Sequence, residues 1–388
     1  MIFKDLKVLE LASVLAGPSV GQFFGELGAE VIKIENLRTR GDVTRTWKIA
    51  GETGGDLSAY FCSVNWGKKS LAVDLSQPEG RSIVQKLAGR ADMVIASYKP
   101  GDAEKLGVDY KTISGINPRI IYGEITGYGS HNERVGYDAV IQAEAGFMDL
   151  NGEMDGRPTK MPVALMDVLA AHHLKEGLLL ALLKRGKNGN GEKVEVSLIQ
   201  AAISSLAHQA SNWLVANQLP RRQGSAHPNI APYGDTFETA DGKWILLAVG
   251  TDQQFANLCS VLEMNELVFD DRYSSNQKRV ENRSHLNQII SGKTALFVSD
   301  QLIEKFNALK IPAGIIKNLK EVFEMPEARE LFIQSNGITG VTGFVASHEK
   351  SSRLQPPPHF GEHTDEVLKA MGYSRQSIIQ FRNSQVIS

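Results

Sequence analysis

The chain has 388 residues, 42% of them hydrophobic and 22% charged, with a formal net charge of −2. That length predicts two domains, or one large domain with an insertion, and the composition supplies a full core. The near-balanced charge points away from nucleic acid and from a membrane surface as partners.

Two cysteines, Cys62 and Cys259, stand far apart. They form neither a CxxC pattern nor a disulfide framework, which suits a reducing cytoplasm. No stretch of about 18 uncharged apolar residues occurs, so no transmembrane span is expected. The apolar segment at 8–16 is short and interrupted by Glu10, and it reads as a strand rather than a leader.

Residues 6–11 (LKVLEL) carry a buried-strand pattern. Pro18, in the Ala16-Gly17-Pro18 turn, suits the first position of a helix that passes Gly21 and Gly25 and stops at Gly28. Residues 31–34 give the next strand. Strand, helix and strand within about 30 residues mark a parallel pair joined by a right-handed crossover. The glycines fall as G-x3-G-x3-G-x2-G and not as GxGxxG, so Gly21 and Gly25 are expected to serve close helix–sheet packing. The turn at 14–18 lies at a strand's carboxyl end, where open α/β sheets bind ligands.

A second unit repeats the plan. It has a strand at 70–75, a capping box Ser76-Gln77-Pro78-Glu79, a helix to about Gly89 and a strand at 93–97. The turn Tyr98-Lys99-Pro100-Gly101 follows, then a strand at 119–125 ending in TGYGS. After a central helix come a Gly- and Asn-rich loop at 186–191, a strand at 193–196 and a long helix at 198–217. This alternation predicts an α/β fold with a mostly parallel sheet.

The character changes at 220–232, which is rich in Pro, Gly, Arg and His and reads as a linker. Beyond it, a hairpin (233–239 and 243–249) and helical patterns from 252 to about 329 predict a small α+β domain. A strand-like segment at 340–344 and a helix at 366–371 precede a polar tail from 374. The expected divisions are 1–219, 220–232, 233–329 and a return to the large domain over 330–388.

The longest apolar run is 162–183, PVALMDVLAAHHLKEGLLLALL, with Asp167 near its front. From Val168 on, its spacing fits a helix of about four turns. Val163, Leu165, Val168, Leu169, Leu174, Leu178, Leu179 and Leu182 are the expected core. Asp167 then stands at the helix start, where free N–H groups and the dipole favour a carboxylate. Position alone leaves two readings open: an N-cap, or a carboxylate held in an apolar pocket for chemistry. His172 and His173 are adjacent, point apart on a helix and lack a partner at ligand spacing, so no metal is expected. GxSxG and P-loop motifs are absent.

A series of short motifs spans nearly the whole chain. It runs through Ala16-Gly17-Pro18, LGAEVIKIE ending at Glu35, Arg40-Gly41-Asp42 and Asn65-Trp66-Gly67-Lys68-Lys69-Ser70. It continues with Val73-Asp74-Leu75, Pro78-Glu79-Gly80, Lys99-Pro100-Gly101, Asn117-Pro118-Arg119 and Tyr137-Asp138. Asp167, Ile311-Pro312-Ala313-Gly314 and GEHTDEVL from Gly361 complete it. In order and spacing this series resembles the class III CoA-transferases, the family of formyl-CoA transferase and carnitine CoA-transferase.

The resemblance implies an acyl-CoA:carboxylate CoA-transferase with Asp167 as nucleophile, working through aspartyl anhydride and aspartyl-CoA thioester intermediates. A carboxylate of ordinary pKa, about 3.9, needs no general base at neutral pH. Coenzyme A enters as part of the acyl-CoA substrate, with a carboxylic acid as acceptor and no metal. The implied fold is a Rossmann-like large domain with a small inserted domain, two chains threading through each other as an interlocked homodimer. Val14, Ala16, Val73, Ser97 and Tyr98 match coenzyme A contacts, and Lys105 matches a basic residue near the phosphates. Arg38 is a looser match, since Asn36 stands where a formyl-CoA transferase carries arginine.

Leu15, Tyr137, Asp138 and Gly250 match the substrate pocket. Leu15 replaces a glutamine of formyl-CoA transferase, which argues against oxalate as acceptor, and Gly250-Thr251 is a reduced form of the family's glycine-rich lid. Pocket basicity points to a carboxylate-bearing acyl group such as succinyl. The alternatives are an α-methylacyl-CoA racemase or another acyl-CoA isomerase of the same superfamily, or a non-catalytic coenzyme A-binding protein on the same fold. Racemases of the superfamily draw a second proton carrier from Gly-His-Asp, whereas this chain reads Gly136-Tyr137-Asp138. A tyrosine, with a pKa near 10, is a poor base at neutral pH.

Overall fold

The computed structural model describes residues 1–346 and 354–388. Six strands, β1 (Lys7–Leu11), β2 (Glu30–Asn36), β3 (Lys68–Val73), β4 (Met93–Ala96), β5 (Ile121–Thr126) and β6 (Lys193–Ser197), form one sheet. Their order is β3-β2-β1-β4-β5-β6 and every pairing is parallel. Strands covered on both faces read as near-continuous apolar runs, and β4 is buried at all its positions. β1 is central: Val8 lies opposite Val31 of β2 and Met93 of β4. The chain leaves β1 toward β2 on one side and later returns as β4 on the other. The strand order therefore reverses there, and a crevice opens at the carboxyl ends.

The first crossover helix is Ala16–Glu26, beginning before Pro18, and Gly28 beyond it takes a φ of 103°. Gly21 has a specific neighbour: a Cβ there would stand 1.8 Å from Oε2 of Glu10, a carboxylate buried on β1. Ser76 is not the cap of the next helix. Pro78–Ala88 starts from Gln77 without a side-chain cap bond. Ser76 instead donates its N–H and hydroxyl to Oδ1 of Asp74, at 2.9 and 2.7 Å. The helix expected over 198–217 is two, Leu198–Ser204 and Ala207–Leu214, because Ala207 takes a φ of 49°.

The chain divides into two compact units. The first is Met1–Ala145, Met161–Leu206 and Glu330–Ser388; the second is Gly146–Lys160 and Ala207–Arg329. This division falls at the left-handed Ala207 rather than at 219, and residues 146–160 go with the second unit. Within the second unit, β7 (Tyr233–Glu238), β8 (Trp244–Ala248) and β9 (Ala313–Ile315) form an antiparallel sheet in the order β7-β8-β9. β9 overlaps Lys310-Ile311-Pro312-Ala313-Gly314, a stretch that breaks the helical pattern of the sequence without marking a strand. Phe237, Ile245, Leu258, Leu286 and Phe306 belong to this unit's own core.

In the first unit, β10 (Phe332–Ser335) and β11 (Ile338–Val341) make a hairpin, earlier than the expected strand at 340–344. The polar tail is structural. After the helix Arg375–Asn383, Val386 and Ile387 are buried in the main core. Ile387 bridges Val73, and Asp74 N–H donates to the Val386 carbonyl at 2.8 Å.

Candidate active site

The central helix runs Leu165–Asn188 with Ala164 as N-cap, so Asp167 is the third helical residue and not the cap. Its inner face is Met166, Asp167, Ala170, Ala171, Leu174, Leu178 and Ala181. Val163, expected in the core, is exposed, and Leu165, Val168, Leu169, Leu179 and Leu182 are half-buried. Small residues select that face, because they let the helix close onto the sheet. A Cβ on Gly177 would lie 2.6 Å from Val194 Cγ1, and one on Gly123 of β5 would lie 3.0 Å from Leu178.

Asp167 is 8% exposed, and among the described residues its carboxyl accepts no hydrogen bond and forms no ion pair. Burial, and then the negative charge of Asp138, push it up to about 7. The expectation of an ordinary carboxylate, fully ionised at neutral pH, is thereby corrected. Asp138 opens the helix Asp138–Glu144 and reaches across to the central one. Its Oδ1 accepts the Met166 N–H at 2.7 Å and its Oδ2 accepts from Gln142 Nε2 at 2.7 Å. Asp138 thus satisfies a first-turn donor that the helix cannot satisfy itself, one residue before Asp167.

Asp167 lines a cavity of about 270 Å³ at the strand-order reversal. Its walls are the turn after β1 (Ser13, Val14, Leu15, Ala16, Gly17), the turn after β4 (Ser97, Tyr98, Lys99, Pro100), the end of β5, and Tyr137 with Asp138. Ser13 N–H donates to Ser97 Oγ at 3.3 Å, joining the two turns. A second cavity, of about 490 Å³, shares Ser13, Val43, Ser97 and Tyr98 with the first. It continues past Arg38, Val73 and Asp74 at the ends of β2 and β3. Burial drives the Tyr98 hydroxyl up to about 12, so it stays protonated as a donor.

Val14, Leu15, Ala16, Ser97, Tyr98, Tyr137 and Asp138 therefore share a cavity with Asp167, while Arg38 and Val73 line its extension. Arg38 is mostly exposed, with Nε 2.8 Å from Asp74 Oδ2. Lys105 lines neither cavity; it is 75% exposed and pairs with Asp102 at 3.0 Å. Gly250 belongs to the second unit, where its N–H donates to Gln254 Oε1 at 2.9 Å. Ser13, Val43, Lys99, Thr126 and Arg134 also line the Asp167 cavity. The turn after β4 was marked in the sequence and contains Lys99, but no pattern singled out Arg134. Its guanidinium lies 4.3 Å over the Tyr128 ring and pairs with Glu144.

The turn after β1 has an unusual backbone. Val14 takes a φ of 72°, a conformation that β-branched residues rarely adopt. Its N–H donates to both carboxylate oxygens of Asp42, at 3.2 Å each. The next N–H groups, at the start of the helix Ala16–Glu26, have no intrahelical acceptor and belong to residues of the cavity wall. No group of three or more His, Cys, Asp or Glu suited to a metal occurs among the described residues. No described helix is long and apolar enough to cross a membrane.

Residues 3–364 match CoA-transferase family III. The chain belongs to this family. The transferase is 37% identical over 378 residues to a succinate–glutarate CoA-transferase of Agrobacterium fabrum, covering 94% of each chain. It is 35% identical over 396 residues to the succinyl-CoA:glutarate CoA-transferase of Homo sapiens, covering 99% of this chain and 89% of the other. A CAIB/BAIF family protein from Brucella suis, solved as a crystal structure, matches with a TM-score of 0.83 at 37% identity, over 95% of this chain and 98% of that one. The transferase moves coenzyme A from an acyl-CoA thioester to a free carboxylic acid.

Proposed function

We propose that Asp167 carries the transfer covalently and that the acids exchanged are dicarboxylates such as succinate and glutarate. The observation that supports this most is a buried carboxylate without a cation, open to a cavity at the sheet's ligand-binding edge. Ionised Asp167 attacks the thioester carbonyl, giving a mixed anhydride and the thiolate of coenzyme A. The thiolate attacks the aspartyl carbonyl, forming an enzyme thioester and releasing the first acid as its carboxylate. The acceptor carboxylate then attacks that thioester, and a second anhydride forms with loss of thiolate. Thiolate attack on the acceptor's carbonyl completes the product and restores Asp167. No net proton is exchanged, and a dry pocket keeps water from hydrolysing the anhydrides.

Coenzyme A fits along the joined cavities, past Val14, Ala16, Ser97 and Tyr98 toward Val73 and Arg38. The free N–H groups that follow Val14 are suited to receive the oxyanions. Lys99 and Arg134 bring positive charge to the same cavity for a second carboxylate. Relatives named for succinyl and glutaryl transfer support this acid class. No histidine lines the cavity and Tyr137 is its outer wall, which favours transfer over racemisation.

We also propose an interlocked homodimer acting in the cytoplasm. Leu180 and Leu183 of the central helix, and Trp213, Leu214 and Val215 of the second unit, are large apolar side chains left exposed, as surface a second copy would cover. Both cysteines are unpaired, as suits a reducing compartment. Sedimentation should give a dimer at all dilutions; a folded, active monomer would exclude it.

The deciding experiment is mass spectrometry after incubation with succinyl-CoA and hydroxylamine. Modification should map to the Asp167 peptide, and Asp167→Asn should lower transfer by roughly 10⁴-fold or more. Near-normal transfer by that variant would exclude the covalent route.

A further inference from the structure

We propose that Asp42, paired with Lys33 beneath the site, is a positioning residue that holds Val14 left-handed and so aims the N-terminus of the helix Ala16–Glu26 into the Asp167 cavity. A valine at a φ of 72° persists only where its surroundings over-determine it. The restraint is the Asp42 carboxylate, which takes the Val14 N–H on both oxygens at 3.2 Å. Asp42, which also lines the second cavity, is itself held by its neighbours. Its Oδ1 accepts from Thr44 N at 3.1 Å and Thr44 Oγ1 at 2.8 Å, and its own N–H donates to Glu35 Oε1 at 2.9 Å. Gly41 before it takes a φ of 92°, and a Cβ there would stand 2.4 Å from the same glutamate oxygen.

Lys33 secures both ends of the turn. Its ammonium lies 2.9 Å from Asp42 Oδ2 and 3.0 Å from Glu10 Oε1, and it donates to the Ala12 carbonyl at 2.8 Å. One buried cation thus holds the carbonyl two residues before Val14 and, through Asp42, the N–H of Val14 itself. Burial opposes both charges, but attraction wins: Lys33 keeps Asp42 below its ordinary range, and Glu10 and then Asp42 keep Lys33 above its own. What depends on this is the direction of the N–H groups that follow Val14. Oxyanion donors misplaced by about 1 Å forfeit roughly 10²-fold in rate.

The inference rests on Asp167 as the reacting carboxylate, yet the two fail separately. Asp167→Asn decides the labelling, whereas Asp42 is decided by rescue at Val14. In Asp42→Asn, an amide offers one oxygen where Val14, Lys33 and Thr44 now converge on two. With the full chain and succinyl-CoA as donor, kcat should fall by roughly 10²-fold while the KM for succinyl-CoA stays within about twofold. Glycine adopts positive φ without help, so Val14→Gly added to Asp42→Asn should recover at least roughly tenfold in kcat. A merely structural role for Asp42 gives no such recovery. If Asp42→Asn does not fold, Lys33→Met/Asp42→Asn removes one buried cation with the anion and carries the same comparison. Unchanged kcat in Asp42→Asn, or failure of Val14→Gly to restore activity in either background, overturns the proposal.

Discussion

The first unit buries charge in two ways. Below the turn after β1, Glu10, Lys33, Lys68, Glu35, Asp42 and Arg45 set three cations against three anions, all nearly inaccessible. Lys68 lies 2.8 Å from Glu10, Lys33 2.9 Å from Asp42 and Arg45 2.6 Å from Glu35, with the Arg45 guanidinium 3.7 Å over the Phe61 ring. Asp167 is buried too, though it faces a cavity, and its charged neighbour is another carboxylate, Asp138. Paired ions keep their charges and brace the backbone. The unpaired acid relieves its burial by holding a proton to much higher pH. The same desolvation that makes one set structural leaves the other reactive.

The sharpest way to break the contrast is to unpair the braced set. Glu10→Gln leaves Lys33 and Lys68 buried together without their shared anion, and should cost about 3–5 kcal/mol in urea unfolding. Burial already holds Lys68 down at about 8 despite Glu10, so it should then lose its proton near neutral pH. A loss below about 1 kcal/mol would mean the cluster is not held by pairing.

A smaller effect of opposite sign is expected at Asp167. Its carboxyl titrates near 7 when folded and near 3.9 when unfolded. Between those values the folded state binds more protons, so the group's contribution to stability falls as pH rises through that window and is lowest above it. Asp167→Asn removes this penalty, and the inactive variant should be more stable by about 2–4 kcal/mol at pH 8. The gain should vanish near pH 4. Equal stability of the two proteins at both pH values would show that Asp167 is not desolvated in solution.

The mildest change, Asp138→Asn, keeps an oxygen for the Met166 N–H and removes the charge together with the acceptor for Gln142 Nε2. The acid limb of kcat/KM for acyl-CoA should move to lower pH. An unmoved limb would leave burial as the whole cause.

The alternating units and the ligand-bearing turns were legible because strand periodicity, Pro18 and Gly28 act locally. Asp167 was singled out from its apolar setting, but its place in the helix was not. Leu165 and Met166 extend an apolar run that marks no start, and their cap is Asp138, about 30 residues away in sequence. Leucines on several sides of the central helix disguised a buried face that alanine and glycine define by close approach. Ala207 breaks a helix without Gly or Pro to signal it. The polar tail concealed Ile378, Val386 and Ile387, which are buried in the main core with Phe381 packed beside them. The ion cluster was invisible for a related reason: its charges are scattered over three strands and the turn after β2, with no pairing pattern until the fold brings them together.

That cluster also sets an order of events for the chain as it emerges from synthesis. Arg45 Nη2 donates to the Pro358 carbonyl at 3.0 Å, 313 residues further on. Gly361 N–H then donates to Ser70 Oγ at 2.8 Å, and that hydroxyl donates in turn to Glu35 at 2.5 Å. The first strands and their charges are thus made 313 residues before the segment that packs over them. Until it docks, the growing chain holds a sheet whose ions are still hydrated and whose β3 edge, later taken by Ile387, is unpaired. A closure of such long range is intrinsically slow, and it leaves a strand edge exposed until it is made.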